Sequence, residues 1–201
     1  MLQEGDLIVA EVREVYRDGS LQLHMPGSRT GRLGEGCVLH LPPSLIRRQK
    51  MHIHKIDVPS CVGGDEKIPV GLILGCNGFV WIGPERGLSL GAHLGATIAP
   101  EKHPHPSSGH IAFEKAERYA IGRVRNVVLA LAACGHLVWE TAVVEGCLAS
   151  YAEEREEVGE GWDADVDADY DGGGSRITRF LLPEHQRQLV DLVIARLAAA
   201  E

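Results

Sequence analysis

Gly75-Cys76-Asn77-Gly78 places two glycines three residues apart. That G-x-x-G spacing can let backbone approach and clamp a nucleic-acid strand. Upstream stands a basic run, Arg47, Arg48, Lys50 and Lys55, with His52 and His54 between them. Such cations neutralise phosphates, and arginine can do so bidentately. Two other readings stay open: a solvated linker face, and a salt-bridged contact to another subunit. Arg29 and Arg32 offer a weaker version of the same chemistry. His103, His105 and His110 suggest a metal, but their stretch lacks cysteines or an acid at ligand spacing. No metal or cofactor is therefore expected. No nucleophile–base pair, paired-carboxylate site, P-loop or H-E-x-x-H is visible, so the chain does not read as an enzyme. A small hydrolase built on the histidines is the residual catalytic alternative.

The flanks of Gly75–Gly78 are Ile73, Leu74, Phe79, Val80 and Trp81. An RNA-gripping turn normally stands on a polar edge with basic neighbours. These flanks favour burial, at about 1.5–3 kcal/mol per large side chain. Asn77-Gly78 suits a tight turn with positive φ. The motif reads first as a structural turn and second as an RNA clamp. Trp81, Trp139 and Tyr151 could stack bases, but each sits in an apolar run that favours core packing.

These residues need elements to hold them. Residues 5–25 read as a hairpin, with Leu7, Val9 and Val12 before the turn, Asp18-Gly19 as a two-residue turn, and Leu21 and Leu23 after it. A further short strand falls near 37–41, closed by Pro42-Pro43, and groups with the hairpin as part of a small barrel. The runs VGLIL and FVWIG flank the glycine turn as strands. Residues 84–109 read as loop. From Phe113 to Cys134, Ala116, Ala120, Val124, Val127, Val128 and Leu131 recur at helical spacing, with Gly135 as a C-terminal cap. Residues 137–151 fit helix or strand equally well. Pro183 opens a last helix over 183–200, with Leu189, Leu192, Val193 and Leu197 on its stripe.

At 201 residues and 44% hydrophobic, the chain can bury a core. It has no apolar run long enough for a membrane helix, and no membrane partner is expected. The five cysteines form no C-x-x-C, which suits free thiols in a reducing compartment. The net charge of −8 is concentrated. Residues 151–174 carry ten acids and one base, a local −9, leaving the rest near +1. Bulk acidity therefore does not exclude a nucleic-acid partner. The acidic stretch itself reads as a disordered insertion.

Taken in order, four stretches resemble cap subunits of the RNA exosome of the ribosomal RNA-processing protein 4 family: EGDLIVAEVREVYRDGSLQLH, PPSLIRRQKMHIHKI, GLILGCNGFVWIG and VRNVVLALAACGHLVWETAVVEGCLASY. The ending LLPEHQRQLVDLV resembles the family's final helix. The resemblance implies an α+β chain. Residues 1–43 would be the C-terminal part of an S1-like OB domain and 44–151 an α/β KH-type domain. An acidic insertion over 152–176 and a C-terminal helix over 177–201, packed on the KH domain, complete it. The family places a further N-terminal domain and the first OB strands before EGDL, so the chain reads as truncated there. The resemblance also implies non-catalytic binding of single-stranded RNA and contacts to ring and cap subunits. The expected location is the nucleus, with its nucleolus, and the cytoplasm. A free-standing OB/KH adaptor in translation or RNA turnover is the alternative.

Overall fold

The computed structural model describes residues 4–25, 30–60, 67–88, 114–158 and 178–199. The chain is α+β. The N-terminal part holds four short strands, β1 (Ile8–Val9), β2 (Glu11–Val15), β3 (Leu21–His24) and β4 (Gly31–Arg32). β1 pairs with β4 and β2 with β3, both antiparallel. The hairpin turn differs from the two-residue form. Tyr16 donates its N–H to Ser20 and accepts one from Gly19, which stands at φ +85°, so the loop spans three residues. Asp18 Oδ1 accepts from the Ser20 amide at 2.9 Å and from its hydroxyl at 2.7 Å, and these bonds hold the Asp18 carboxyl below its usual range.

Four further strands form the main sheet: β5 (Cys37–His40), β6 (Ile53–Pro59), β7 (Lys67–Leu74) and β8 (Phe79–Pro84). Their order is β5-β8-β7-β6, all antiparallel. The strand at 37–41 therefore does not belong with the hairpin as its short length suggested. It is an edge strand of this sheet, with Cys37 opposite Ile82 and His40 opposite Phe79.

Among the described residues, three α-helices follow: α1 (Lys115–Ala133), α2 (Glu140–Val158) and α3 (Pro183–Ala199). α1 opens on a reciprocal capping box between Glu114 and Glu117. It closes on Gly135 at φ +70°, with His136 donating to Leu131 and Gly135 to Ala132. No described helix is long and apolar enough to cross a membrane.

The sheet is covered on both faces, and this explains the unbroken apolar runs of β7 and β8. One face presents Leu39, Ile56, Val58, Val70, Leu72, Leu74, Val80 and Ile82 to the helices. The other presents Ile53, Ile73 and Trp81 to Leu33, Val9 and Leu88, so the N-terminal strands pack there. Trp81 is the centre of that second contact. A β-carbon on Gly36, Gly71, Gly83 or Gly87 would meet its indole. Gly71 and Gly83 are also cross-strand partners, so the ring lies where the sheet has no side chains to lift it.

The helical spacing over 113–134 matches α1, where Ala120, Val124, Val127, Val128 and Leu131 are buried, while Ala116 is half-buried. α3 turns most of the expected stripe inward: Leu189 and Val193 are buried and Leu197 packs against the core, while Leu192 is 41% exposed and Val190 is buried instead. The acidic stretch needs a correction. Residues 152–158, expected to be disordered, complete α2. The reason lies in α1: Arg123 donates to Glu154 at 2.6 Å and to the Ser150 hydroxyl at 3.0 Å, and all three are buried. Residues 159–177 and 89–113, the latter including His103, His105 and His110, lie outside the described residues.

Candidate nucleic-acid interface

The chain leaves β5 through Leu41 and runs along the base of the helical layer. Ile46 forms a parallel bridge with Val138, in the link between α1 and α2. Val138 donates to Leu45 at 2.7 Å, and Arg47 donates its backbone N–H to Val138 at 3.0 Å. This clamp fixes where the basic loop begins. The Arg47 guanidinium lies 5.0 Å from the centroid of the Trp139 ring, within cation–π range. Trp139 in turn stacks on His136 at 5.5 Å and 23°. Trp139 is thus half-buried, packed against the main core on one side and covered by Arg47 on the other.

Arg48 and Lys50 follow, both exposed and without an ion pair among the described residues. The loop then turns into β6 at His52. His52 Nδ1 lies 2.8 Å from the Leu74 carbonyl oxygen, and the Gln49 amide points at Nε2 at 3.4 Å. Leu74 also donates its N–H to the His52 carbonyl at 2.9 Å. His52 therefore ties the basic loop to the end of β7, where the glycine turn begins.

Gly75–Gly78 is the turn of the β7–β8 hairpin. Gly75 donates to Phe79 at 2.8 Å, Gly78 donates to Gly75 at 2.9 Å, and Asn77 Oδ1 accepts the Phe79 N–H at 3.2 Å. Gly78 stands at φ +89°. Cys76 and Asn77 are exposed at the tip, and Gly78 is buried against the chain leaving β5. Phe79, 48% exposed, carries His40 against its ring at 4.7 Å. The turn and the basic loop share one end of the sheet.

The other cations lie elsewhere. Lys55 is on β6, on the face away from the helices, and its ammonium reaches Glu85 at 2.6 Å. That bond raises its pKa. Arg32 pairs with Asp6 at 3.3 Å beside β1. Arg29 lies outside the described residues. Of the six basic residues singled out in the sequence, Arg47, Arg48 and Lys50 come together, and Arg32 and Lys55 do not join them.

Sequence reasoning missed His52 as the strut between loop and turn, and missed His136 and Trp139 as the platform beneath Arg47. A histidine in a basic run gives no sign of which backbone it will meet. The contact of Arg47 with Trp139 spans 92 residues and depends on the bridge at Ile46. No group of three or more His, Cys, Asp or Glu residues is placed to hold a metal ion among the described residues.

Residues 36–87 match the KH domain family, a span that begins just before β5 and ends just after β8. The chain is 33% identical to the exosome complex component RRP4 of Bos taurus over 147 residues, covering 71% of this chain and 42% of that protein. It is 33% identical to the mouse exosome complex component RRP4 over 161 residues, covering 78% and 47%. To the Arabidopsis thaliana RRP4 homolog it is 32% identical over 146 residues, covering 71% and 42%. The matched part is thus less than half the length of these curated relatives.

Proposed function

Because the chain belongs to the family of exosome RRP4 components, we propose that it is a non-catalytic RNA-binding subunit of an exosome cap. It would guide single-stranded RNA toward 3′→5′ processing and bridge neighbouring ring and cap subunits, in the nucleus, its nucleolus and the cytoplasm. The observation that carries the RNA role is the juxtaposition of exposed Arg48 and Lys50 with the tip of the KH-domain turn, through His52. Two cations on a loop anchored at both ends can meet phosphates with little ordering cost. Gly75–Gly78 supports this surface by shaping its edge. Its amides serve the hairpin, since Gly75 and Gly78 both donate within the turn.

The test uses the full chain and labelled single-stranded RNA with Mg²⁺. Salt-dependent binding without shortening of the RNA is expected. Processive 3′ shortening that follows the protein through purification would overturn the non-catalytic reading. The native mass of the protein in a cell extract separates a subunit of a large assembly from a free-standing adaptor. Migration as a monomer would favour the adaptor.

A further inference from the structure

We propose that Cys76 and His52 form a thiol–imidazole pair that makes Cys76 a site of disulfide exchange with small-molecule disulfides of the glutathione class. Two backbone contacts, neither involving the cysteine, set the imidazole. Nδ1 faces the Leu74 carbonyl oxygen at 2.8 Å. A carbonyl only accepts, so Nδ1 carries the proton. The Gln49 amide points at Nε2 from 3.4 Å. An amide only donates, so Nε2 presents its lone pair. Cys76 Sγ lies 3.5 Å from that same Nε2. The long Gln49 contact and the thiol thus share the single Nε2 lone pair, and the histidine is held with its basic nitrogen within reach of the thiol, the arrangement in which a base activates a nucleophile and is itself oriented by a third group.

The thiol is also reachable. Cys76 is exposed at the tip of the hairpin turn, beside the loop that carries Arg48 and Lys50. An anionic disulfide meets cations as it approaches. The other described cysteines lack this setting. Cys147 is fully buried in α2, and desolvation pushes its thiol up to about 12. Cys37 is half-buried in β5. Cys134 is exposed at the end of α1 but has no imidazole against its sulfur among the described residues.

The step balances with the disulfide as oxidant. Sγ attacks one sulfur of the small disulfide while its proton passes to His52 Nε2. The S–S bond breaks, and the departing thiolate takes that proton back. Cys76 is oxidised to a mixed disulfide, and one equivalent of small thiol is released. The adduct then stands at the tip of the turn, next to the basic loop. The chemistry is independent of whether that loop binds RNA.

The experiment treats the full chain with glutathione disulfide at neutral pH and follows each cysteine-containing peptide by mass spectrometry. Cys134 serves as the exposed control and Cys147 as a reporter of the fold. Cys76 should be modified about tenfold faster than Cys134, a modest return for a positioned base. In His52→Gln the two rates should converge while Cys147 stays unmodified. Equal rates at Cys76 and Cys134 in the unaltered protein would overturn the proposal. So would an advantage for Cys76 that survives in His52→Gln. If that variant exposes Cys147, the ratio in the unaltered protein decides.

Discussion

Leu41 and Gly78 hold each other by backbone alone. Leu41 donates its N–H to the Gly78 carbonyl at 2.8 Å, and the Leu41 carbonyl oxygen fills the space that a β-carbon on Gly78 would need. The turn is thus buttressed by the chain leaving β5, and only glycine fits there at φ +89°. Gly78→Val should lower stability by about 2 kcal/mol or more, from the left-handed conformation and the loss of the Leu41 bond. Asn77→Ala should cost less, about 1 kcal/mol, because its single bond to Phe79 is at an exposed tip. Thermal melts of the two variants rank them. A Gly78→Val chain with a normal melt and lost RNA binding would make the turn a clamp.

The basic loop divides into two kinds of residue. Arg48→Ala with Lys50→Ala should leave the melting temperature unchanged and weaken RNA binding. Each lost phosphate contact should reduce the salt-dependence slope by about 0.7. Arg47→Ala should also lower the melting temperature, since it uncovers Trp139. Binding isotherms at several salt concentrations give the slopes. An unchanged slope in the double variant would assign Arg48 and Lys50 to a subunit contact or to solvent.

The N-terminal turn of α1 is anchored by charge. Arg86, in the short helical turn Glu85–Leu88 after β8, donates through both terminal nitrogens to Glu117, the second bond at 2.9 Å. This pairing holds the Glu117 carboxyl below its ordinary 4.5. A depressed folded-state pKa adds stability above the unfolded value, and that stability is lost as pH falls through the folded value. Glu117→Gln keeps a capping-box residue and removes the charge. It should cost about 0.5–1 kcal/mol at pH 7. The difference should shrink below about pH 4.5, where the unfolded-state carboxyl begins to bind protons. Urea unfolding at pH 7 and pH 3 reads both, and a gap undiminished at pH 3 would refute the charge assignment.

Arg123 and Glu154 test why the acidic stretch begins as helix. Arg123→Met alone leaves a buried carboxylate without its cation and should cost about 3–5 kcal/mol. Arg123→Met combined with Glu154→Leu should recover most of that loss, because neither charge then remains buried. A double-mutant cycle by chemical unfolding supplies the coupling. Additive losses would show that the pair does not act as a unit.

Local pattern made some of this readable and long-range pairing hid the rest. The spacing of Ala120, Val124, Val127 and Leu131 announces α1 because a helix repeats its inward face within a few residues. Pro183 and Gly135 mark helix ends for equally local reasons. A four-residue strand such as Cys37–His40 looks alike in a barrel and at the edge of a sheet, so only its pairing with β8 decides. The reach of α2 into the acidic stretch depends on Arg123, 31 residues before Glu154. On α3, Leu192 and Val190 are equally apolar, and the angle at which the helix meets α1 and α2 selects between them. The candidate site was legible as a cluster of cations. Its division into Arg47, committed to an aromatic ring, and Arg48 and Lys50, facing solvent, was not.

Trp81 and the glycines around it also limit how this sequence can drift. With the indole in place, a side chain at Gly36, Gly71, Gly83 or Gly87 collides with the ring or with what packs beside it. A smaller residue at 81 would free Gly87 alone and leave a void against Leu33 and Ile73. A β-carbon on Gly36 would still meet the Ile82 carbonyl oxygen, one on Gly83 that of Glu35, and one on Gly71 the Leu88 side chain. Relatives that replace the tryptophan should therefore keep glycine at the positions of Gly36 and Gly83, and a side chain should be admitted first at the position of Gly87.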